Sequence, residues 1–211
     1  MAVGNKAVDI ARAIDALTVY IKMARLSCGG IIYGRTNVTV VVDELRPDDL
    51  DPGLEGLADI LQAAVNAGAS VGFVQPCTMD QSRTFWRHNV FPSARSGGRI
   101  FLVARAADRI VGTVQLITEM LPSQVHRCDV SKLLVHPDFR NRGIAKLLMV
   151  ALEQKATDMD KRLLTLDTKT GDPAEQIYTA MGYETAGSIP GYCRAPEGDR
   201  DDATTYMYKV L

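Results

Sequence analysis

Arg140, Asn141, Arg142, Gly143, Ile144 and Ala145 stand in one run, between the apolar segment ending Leu133-Leu134-Val135-His136-Pro137 and a second apolar segment that begins at Leu147. Residues of these types in this order can bind an anion. Where a strand turns directly into a helix, the first helical N–H groups lack intrahelical partners. Together with the positive end of the helix dipole they face whatever sits at that end. Gly143 has no Cβ to hold a ligand off the backbone, and Ala145 is the next smallest choice. Arg140, Arg142 and Lys146 add positive charge of the kind a diphosphate uses. A plain turn, with solvated arginines and Gly143 easing the bend, would use the same residues. The run matches neither G-x-G-x-x-G nor G-x-x-x-x-G-K-[ST], so those two phosphate-binding fingerprints are excluded.

The rest of the 211 residues says where such a site would work. With 24 Lys and Arg against 25 Asp and Glu, the net charge of -1 offers no basic excess for nucleic acid, so any phosphate site must be local. A composition that is 46% hydrophobic and 23% charged is that of a globular chain with a sizeable core. Cys28, Cys77, Cys128 and Cys193 form no C-x-x-C pair and the three histidines are scattered, so no metal site is expected. No apolar run approaches the roughly 20 residues of a membrane span. Asp9, Arg12 and Asp15 interrupt any secretory leader, so the expected location is the cytoplasm.

The elements that must position the turn can be read from periodicity. Lys6–Leu26 fits a helix with Ile10, Ile14, Leu17, Ile21 and Ala24 on one stripe, closed by Gly29-Gly30. Residues 1–35 are therefore expected to be a helical extension: a packing helix, a dimerisation element that would make the protein a homodimer, or a poorly ordered segment. Residues 36–211 are expected to form the main domain. There, 37–45 reads as a strand and 51–68 as a helix, with Asp51 as N-cap, Pro52 in its first turn and Gly68 as its stop. A shorter helical stretch, 80–98, follows. The segment 99–119 is a hairpin about Ala106–Arg109, and 127–137 is a strand stopped by Pro137. The helix from Asn141 places Ile144, Leu147, Leu148, Ala151 and Leu152 on one side. A strand at 162–171, a helix opened by Asp172 and Pro173, and a last strand at 204–211 complete the order. A central hairpin followed by a strand-helix-strand-helix unit implies an α+β fold, a mainly antiparallel sheet with helices on its faces.

In this context the turn resembles the R/Q-x-x-G-x-G/A turn of the GNAT acetyltransferase superfamily, which grips the pyrophosphate of coenzyme A. Here it is Arg140-Asn141-Arg142-Gly143-Ile144-Ala145, preceded by an apolar strand and followed by Leu166-Asp167-Thr168 on a second strand. Ala174–Glu184 is similar to the family's late Y-x-x-x-G-[FY] segment, and the element order from Val38 to Leu211 is also the family's. The segments 68–73, 132–137, 166–183 and 189–198 resemble the branch that contains tabtoxin resistance protein, over roughly residues 60–211. The resemblance implies a three-layer αβα sandwich with splayed central strands and acetyl-CoA as cosubstrate. Its pantetheine arm would lie between strands ending at Val135 and near Asp167, where Leu133, Leu134 and Val135 offer backbone groups. Arg140, Asn141, Arg142, Gly143, Ile144, Ala145 and Lys146 would hold the pyrophosphate.

Acetyl transfer from a thioester needs a deprotonated nucleophile, a polarised carbonyl and a leaving thiolate that can be stabilised. Tyr178 stands where the family places its acid, and a tyrosine near ~10 can return a proton to a thiolate near ~8.5. Two carboxylates compete as base: Asp167 at the splay ranks first and Asp129 second. Against these stand a turn-capping role for Asp167 and an ion pair to Lys132 or Arg127 for Asp129. His136 is expected at the surface, and Trp86, Phe85 and Phe91 in the core or as a wall of the acceptor pocket. Cys193 falls near the acceptor by resemblance. Glu197, Asp199, Asp201 and Asp202 read as an acidic loop that could draw a cationic acceptor, although Arg194 and Arg200 interrupt it.

The expectation is an acetyl-CoA-dependent acetyltransferase acting by direct attack on a small-molecule amine or hydroxyl. An amino-acid-like or β-lactam acceptor, as in toxin resistance, follows from resemblance alone. An acyl-CoA-sensing module and a protein lysine acetyltransferase are the alternatives. Neither nucleic acid nor a membrane is expected as a partner.

Overall fold

The computed structural model describes residues 31–33 and 39–211. The helix expected over Lys6–Leu26, and most of the proposed extension, lie outside the described residues.

Eight strands form one sheet: β1 (Ile31–Tyr33), β2 (Val40–Leu45), β3 (Arg99–Ala106), β4 (Arg109–Ile117), β5 (Arg127–Val135), β6 (Leu163–Lys169), β7 (Glu184–Arg194) and β8 (Asp201–Val210). Their order across the sheet is β1-β2-β3-β4-β5-β6-β8-β7. Every pairing is antiparallel except β5 with β6. The pairing of β1 with β2 carries the sheet back to residues 31–33, ahead of the boundary expected at residue 36.

The strands bury both faces, and each face has its own core. On one, α4 (Ile144–Asp158) lays Ile144, Leu148, Met149, Leu152 and Ala156 on Val111, Val114, Leu116, Val130 and Leu164. On the other, α1 (Leu50–Asn66) buries Leu54, Leu57, Ile60 and Leu61 against Phe101, Val103 and Ile110. Helix α1 starts two residues earlier than expected, after a short 3-10 turn at Pro47–Asp49 that makes Asp49, not Asp51, its N-cap. Its stop is as read, with Gly68 in the left-handed region at φ +86°.

The second helical stretch is α2 (Met79–Thr84), a widened π turn over Phe85–Val90 and α3 (Phe91–Arg95). Thr78 and Gln81 close its start with a reciprocal capping box. Trp86 and Phe91 are fully buried, and the Trp86 Nε1–H donates to the Leu57 carbonyl at 2.9 Å. These two rings are core. Phe85, partly buried beside them, packs against the same core.

Strand β7 is absent from the sequence reading. Gly187, Pro190 and Gly191 break its pattern, and its outer-edge position leaves every residue but Cys193 exposed, so no apolar alternation marks it. The last helix, α5 (Pro173–Ala180), opens as expected: the Asp172 carboxylate accepts from the Ala174 N–H at 2.8 Å, with Pro173 at the first position.

Candidate active site

β5 and β6 pair over three residues each, Arg127–Asp129 with Leu163–Thr165, and then diverge. Beyond that point the edge of β5 facing β6 has no strand partner, so backbone groups from Val130 to Val135 border a gap. The gap opens into a cleft of about 890 Å³ whose walls include Leu133, Leu134, Val135, Asp167 and Tyr178. At one end lie Arg140, Asn141, Gly143, Ile144, Ala145 and Lys146.

That end has the geometry of an anion cradle. Gly143 is the N-cap of α4 at φ +78°, ψ +3°, a conformation that favours glycine, and Asn141 precedes it at φ +60°. No side chain caps the helix and its first turn contains no acidic residue. The donors and the dipole of a 15-residue helix are thus left facing the cleft. Arg142 is the exception among the expected residues. Its guanidinium donates to the Asp138 carbonyl at 2.9 Å and lies 5.0 Å from the Phe139 ring centroid, and the residue is outside the cleft lining. A buttress of the turn is what its position describes.

Tyr178 is buried in the cleft wall, beside Tyr183 at a centroid distance of 5.7 Å. Burial first, and then the negative charges of Asp172 and Asp167, push its hydroxyl far above the ordinary tyrosine value. Tyr178 therefore holds its proton at every physiological pH. Asp167 lines the cleft, exposed, opposite Tyr206 on β8. The turn after it is tied instead by Glu175, which accepts from the Gly171 N–H at 2.7 Å.

The other candidate carboxylate is placed elsewhere. Asp129 pairs with Arg127 and accepts from the Thr165 hydroxyl at the last pair of the β5–β6 ladder, outside the cleft lining. The ion pair foreseen for it is the one observed, with Arg127 as partner. His136 is not at the surface: only 7% exposed, it sits between Arg109, 3.1 Å from its Nε2, and the Asp138 N–H, 3.2 Å from its Nδ1. The acidic run is not an open field either. Asp202 is bridged by Lys169 at 2.7 Å and by Arg200 at 3.1 Å, Arg200 also holds Glu197 and Asp199, and Arg194 holds Asp201. Cys193 does line the cleft, with Ser70 at 3.8 Å. Among the described residues no cluster of His, Cys, Asp or Glu is built to hold a metal.

A family profile described as "Acetyltransferase (GNAT) domain" matches residues 96–185, from the β3–β4 hairpin through the turn and Tyr178. An uncharacterized N-acetyltransferase of Azospirillum brasilense is 32% identical over 138 residues, which span 64% of this chain and 77% of that protein. The chain belongs to the GNAT acetyltransferases. Acetyl-CoA, the acyl donor of that family, is therefore the cosubstrate of this acetyltransferase. The uncapped first turn of α4 and the open edge of β5 suit a diphosphate and an extended amide-bearing arm. The fold recurs in a ribosomal-protein-alanine N-acetyltransferase of Brucella melitensis, with a TM-score of 0.65, 19% identity, and 81% of this chain and 99% of that one covered. It recurs again in the Salmonella typhimurium protein yncA, solved with its cofactor acetyl-CoA, with a TM-score of 0.65, 14% identity, and 82% and 94% coverage.

The sequence reading of this GNAT site missed Lys132. It occupies a β-bulge: Gln115 pairs with Ser131 and Thr113 with Leu134, so Lys132 and Leu133 together oppose Val114. Its backbone is left-handed, at φ +52°, and the residue lines the cleft. Nothing in local sequence marks a bulge whose position depends on the neighbouring strand's register.

Proposed function

We propose that this acetyltransferase transfers the acetyl group of acetyl-CoA to the amine or hydroxyl of a small molecule, by direct attack within a ternary complex. One observation carries the reading. The β5–β6 ladder stops at Asp129 and Thr165, and the gap it leaves has the uncapped start of α4 at one end and the Tyr178 side chain in its wall. The backbone N–H groups of Gly143, Ile144, Ala145 and Lys146, with the cations of Arg140 and Lys146, hold the pyrophosphate. The edge of β5 at Leu133, Leu134 and Val135 binds the pantetheine amides as a further strand would.

In this reading the acceptor nitrogen or oxygen forms a bond to the thioester carbonyl carbon, the C–S bond breaks, and its electron pair leaves on sulfur. Tyr178 donates a hydrogen bond to that sulfur. Complete transfer of its proton is uphill, because its hydroxyl holds the proton more tightly than a thiol does. Its contribution is therefore stabilisation of the developing thiolate, and the proton lost by the acceptor is the one that finally neutralises the sulfur. Asp167 stands on the acceptor side, where a carboxylate orients a nucleophile or takes its proton. Asp129, engaged by Arg127 and Thr165, lies outside the cleft lining. The amino-acid-like and β-lactam acceptors of the resembling branch suit a cleft of this size.

Release of free coenzyme A, followed by a thiol reagent over a panel of amines, amino acids and a β-lactam amino acid, tests this. Tyr178→Phe should lower kcat on accepted substrates by about 10²-fold while leaving coenzyme affinity within about twofold. Coenzyme binding with no release for any acceptor would instead favour a sensing module.

A further inference from the structure

The cleft wall carries a cation that the transfer reaction does not use. Lys132 has no salt bridge or hydrogen bond among the described residues, and its Nζ stands 5.5 Å from the centroid of the Phe85 ring. Its backbone sits in the left-handed region, where any residue with a Cβ is strained and glycine or asparagine is the common choice. A lysine held there, by a bulge, aims its side chain where a regular strand would not.

The surroundings reinforce the point. Ser131 faces Gln115 across β4, and Gln115 faces Phe101 on β3, beside Arg99. Arg99 Nη1 donates to Gln115 Oε1 at 2.8 Å, yet Arg99 Nε and Gln115 Nε2 are buried with no acceptor among the described residues. Unpartnered buried donors are rare in native proteins. Lys132 thus stands at the cleft with Gln115 and Arg99 behind it, outside the cleft lining, where the carboxylate of Glu119 acts on Arg99. Burial lowers the ammonium's hold on its proton, with Asp167 opposing and Arg99 adding to the effect. Asp167, also in the cleft lining, is the negative charge that acts on Lys132.

We propose that the acceptor carries a carboxylate besides the group that is acetylated, and that Lys132 is the specificity residue that binds it. The acceptor is then an amino acid or a close relative, its carboxylate toward β5 and its nucleophile toward Asp167. Phe85, packed against the core, holds its ring face beside the ammonium. This rests on the reading of the cleft as the acetyl-transfer site.

The experiment uses the full chain and pairs each amino acid with its carboxamide. Wild type should show kcat/KM about ten- to a hundredfold higher for the acid, the strength of one charge-assisted hydrogen bond. Lys132→Met should lose that factor on the acid through KM, and far less on the amide, with coenzyme affinity retained as the check on folding. Lys132→Arg should restore part of the preference. Equal rates within the pairs, or a fall in kcat on both members alike, overturns the proposal, the second outcome marking Lys132 as a base or a structural group. If wild type binds coenzyme but acetylates nothing, the transfer reading has failed separately. The Lys132 site is then read by ¹⁵N NMR of its ammonium, assigned with Lys132→Arg, during titration with N-acetylglycine and N-acetylglycinamide. A response to the acid alone supports the site, and no response to it overturns the proposal.

Discussion

Ala145→Glu should make the protein more stable and its coenzyme binding weaker, two effects of opposite sign from one carboxylate. Ala145 lies in the first turn of α4, half-buried at the cleft, where the helix has no cap and no acidic neighbour. A glutamate there meets the positive end of the dipole and the free N–H groups, which stabilises by about 0.3–1 kcal/mol. For a chain of this size that raises Tm by about 1–3 °C. The same carboxylate would stand roughly 6 Å from a diphosphate held by those groups. At an effective dielectric of about 20, each unit charge at that distance costs about 3 kcal/mol, close to a hundredfold in Kd. Thermal melting without ligand and calorimetric titration with coenzyme A measure the two numbers on one preparation. Affinity within twofold of wild type would show that the diphosphate lies elsewhere. A lowered melt would show that the first-turn donors are already engaged, and either result refutes the reasoning.

Other outcomes follow from the same geometry. Burial raises the hydroxyls of both Tyr178 and Tyr183 well above their unfolded value near ~10, so the folded state favours their neutral forms. The stability they confer is complete below pH ~10 and is lost as pH rises further toward the folded values. Melts from pH 8 to 11 should fall above pH ~10, and less steeply in Tyr183→Phe. Gly112→Ala would set a Cβ 3.1 Å from Ile144 Cγ2 and Leu148 Cδ1 and 3.2 Å from the Leu134 carbonyl. That should cost about 1–3 kcal/mol in denaturant unfolding and weaken coenzyme binding, because the start of α4 is what must move. Lys209 Nζ lies 2.7 Å from Glu153 and 2.8 Å from the Met181 carbonyl, with both side chains largely buried. Lys209→Met should cost about 3 kcal/mol by stranding Glu153, and adding Glu153→Gln should recover most of it.

Much of this protein is legible in its residue order. The turn at 140–146, the helix after it, the β3–β4 hairpin and the Asp172-Pro173 helix start are local: each depends on periodicity, capping or backbone freedom within a few residues. So is the glycine N-cap with a first turn free of acidic residues, because both are written in order along the chain. β7 was not legible, since an exposed edge strand interrupted by Gly187, Pro190 and Gly191 has no buried face to impose a pattern. Nor was the choice between two aspartates. Asp129 belongs to the last β5–β6 pair and is engaged by Arg127 and Thr165, whereas Asp167 lies two residues beyond that pair on β6 and lines the cleft.

By itself, then, the sequence determined most of the elements, the glycine turn ahead of α4 and the family resemblance, all set by short-range spacing. The tertiary structure decided direction. It turned Arg142 onto Phe139, buried His136, neutralised the acidic run around Arg200, and, through a bulge fixed by the register of β4, brought Lys132 to the cleft. Those outcomes depend on which strand lies beside which and at what register, and pairing between distant segments leaves no periodic trace in either one.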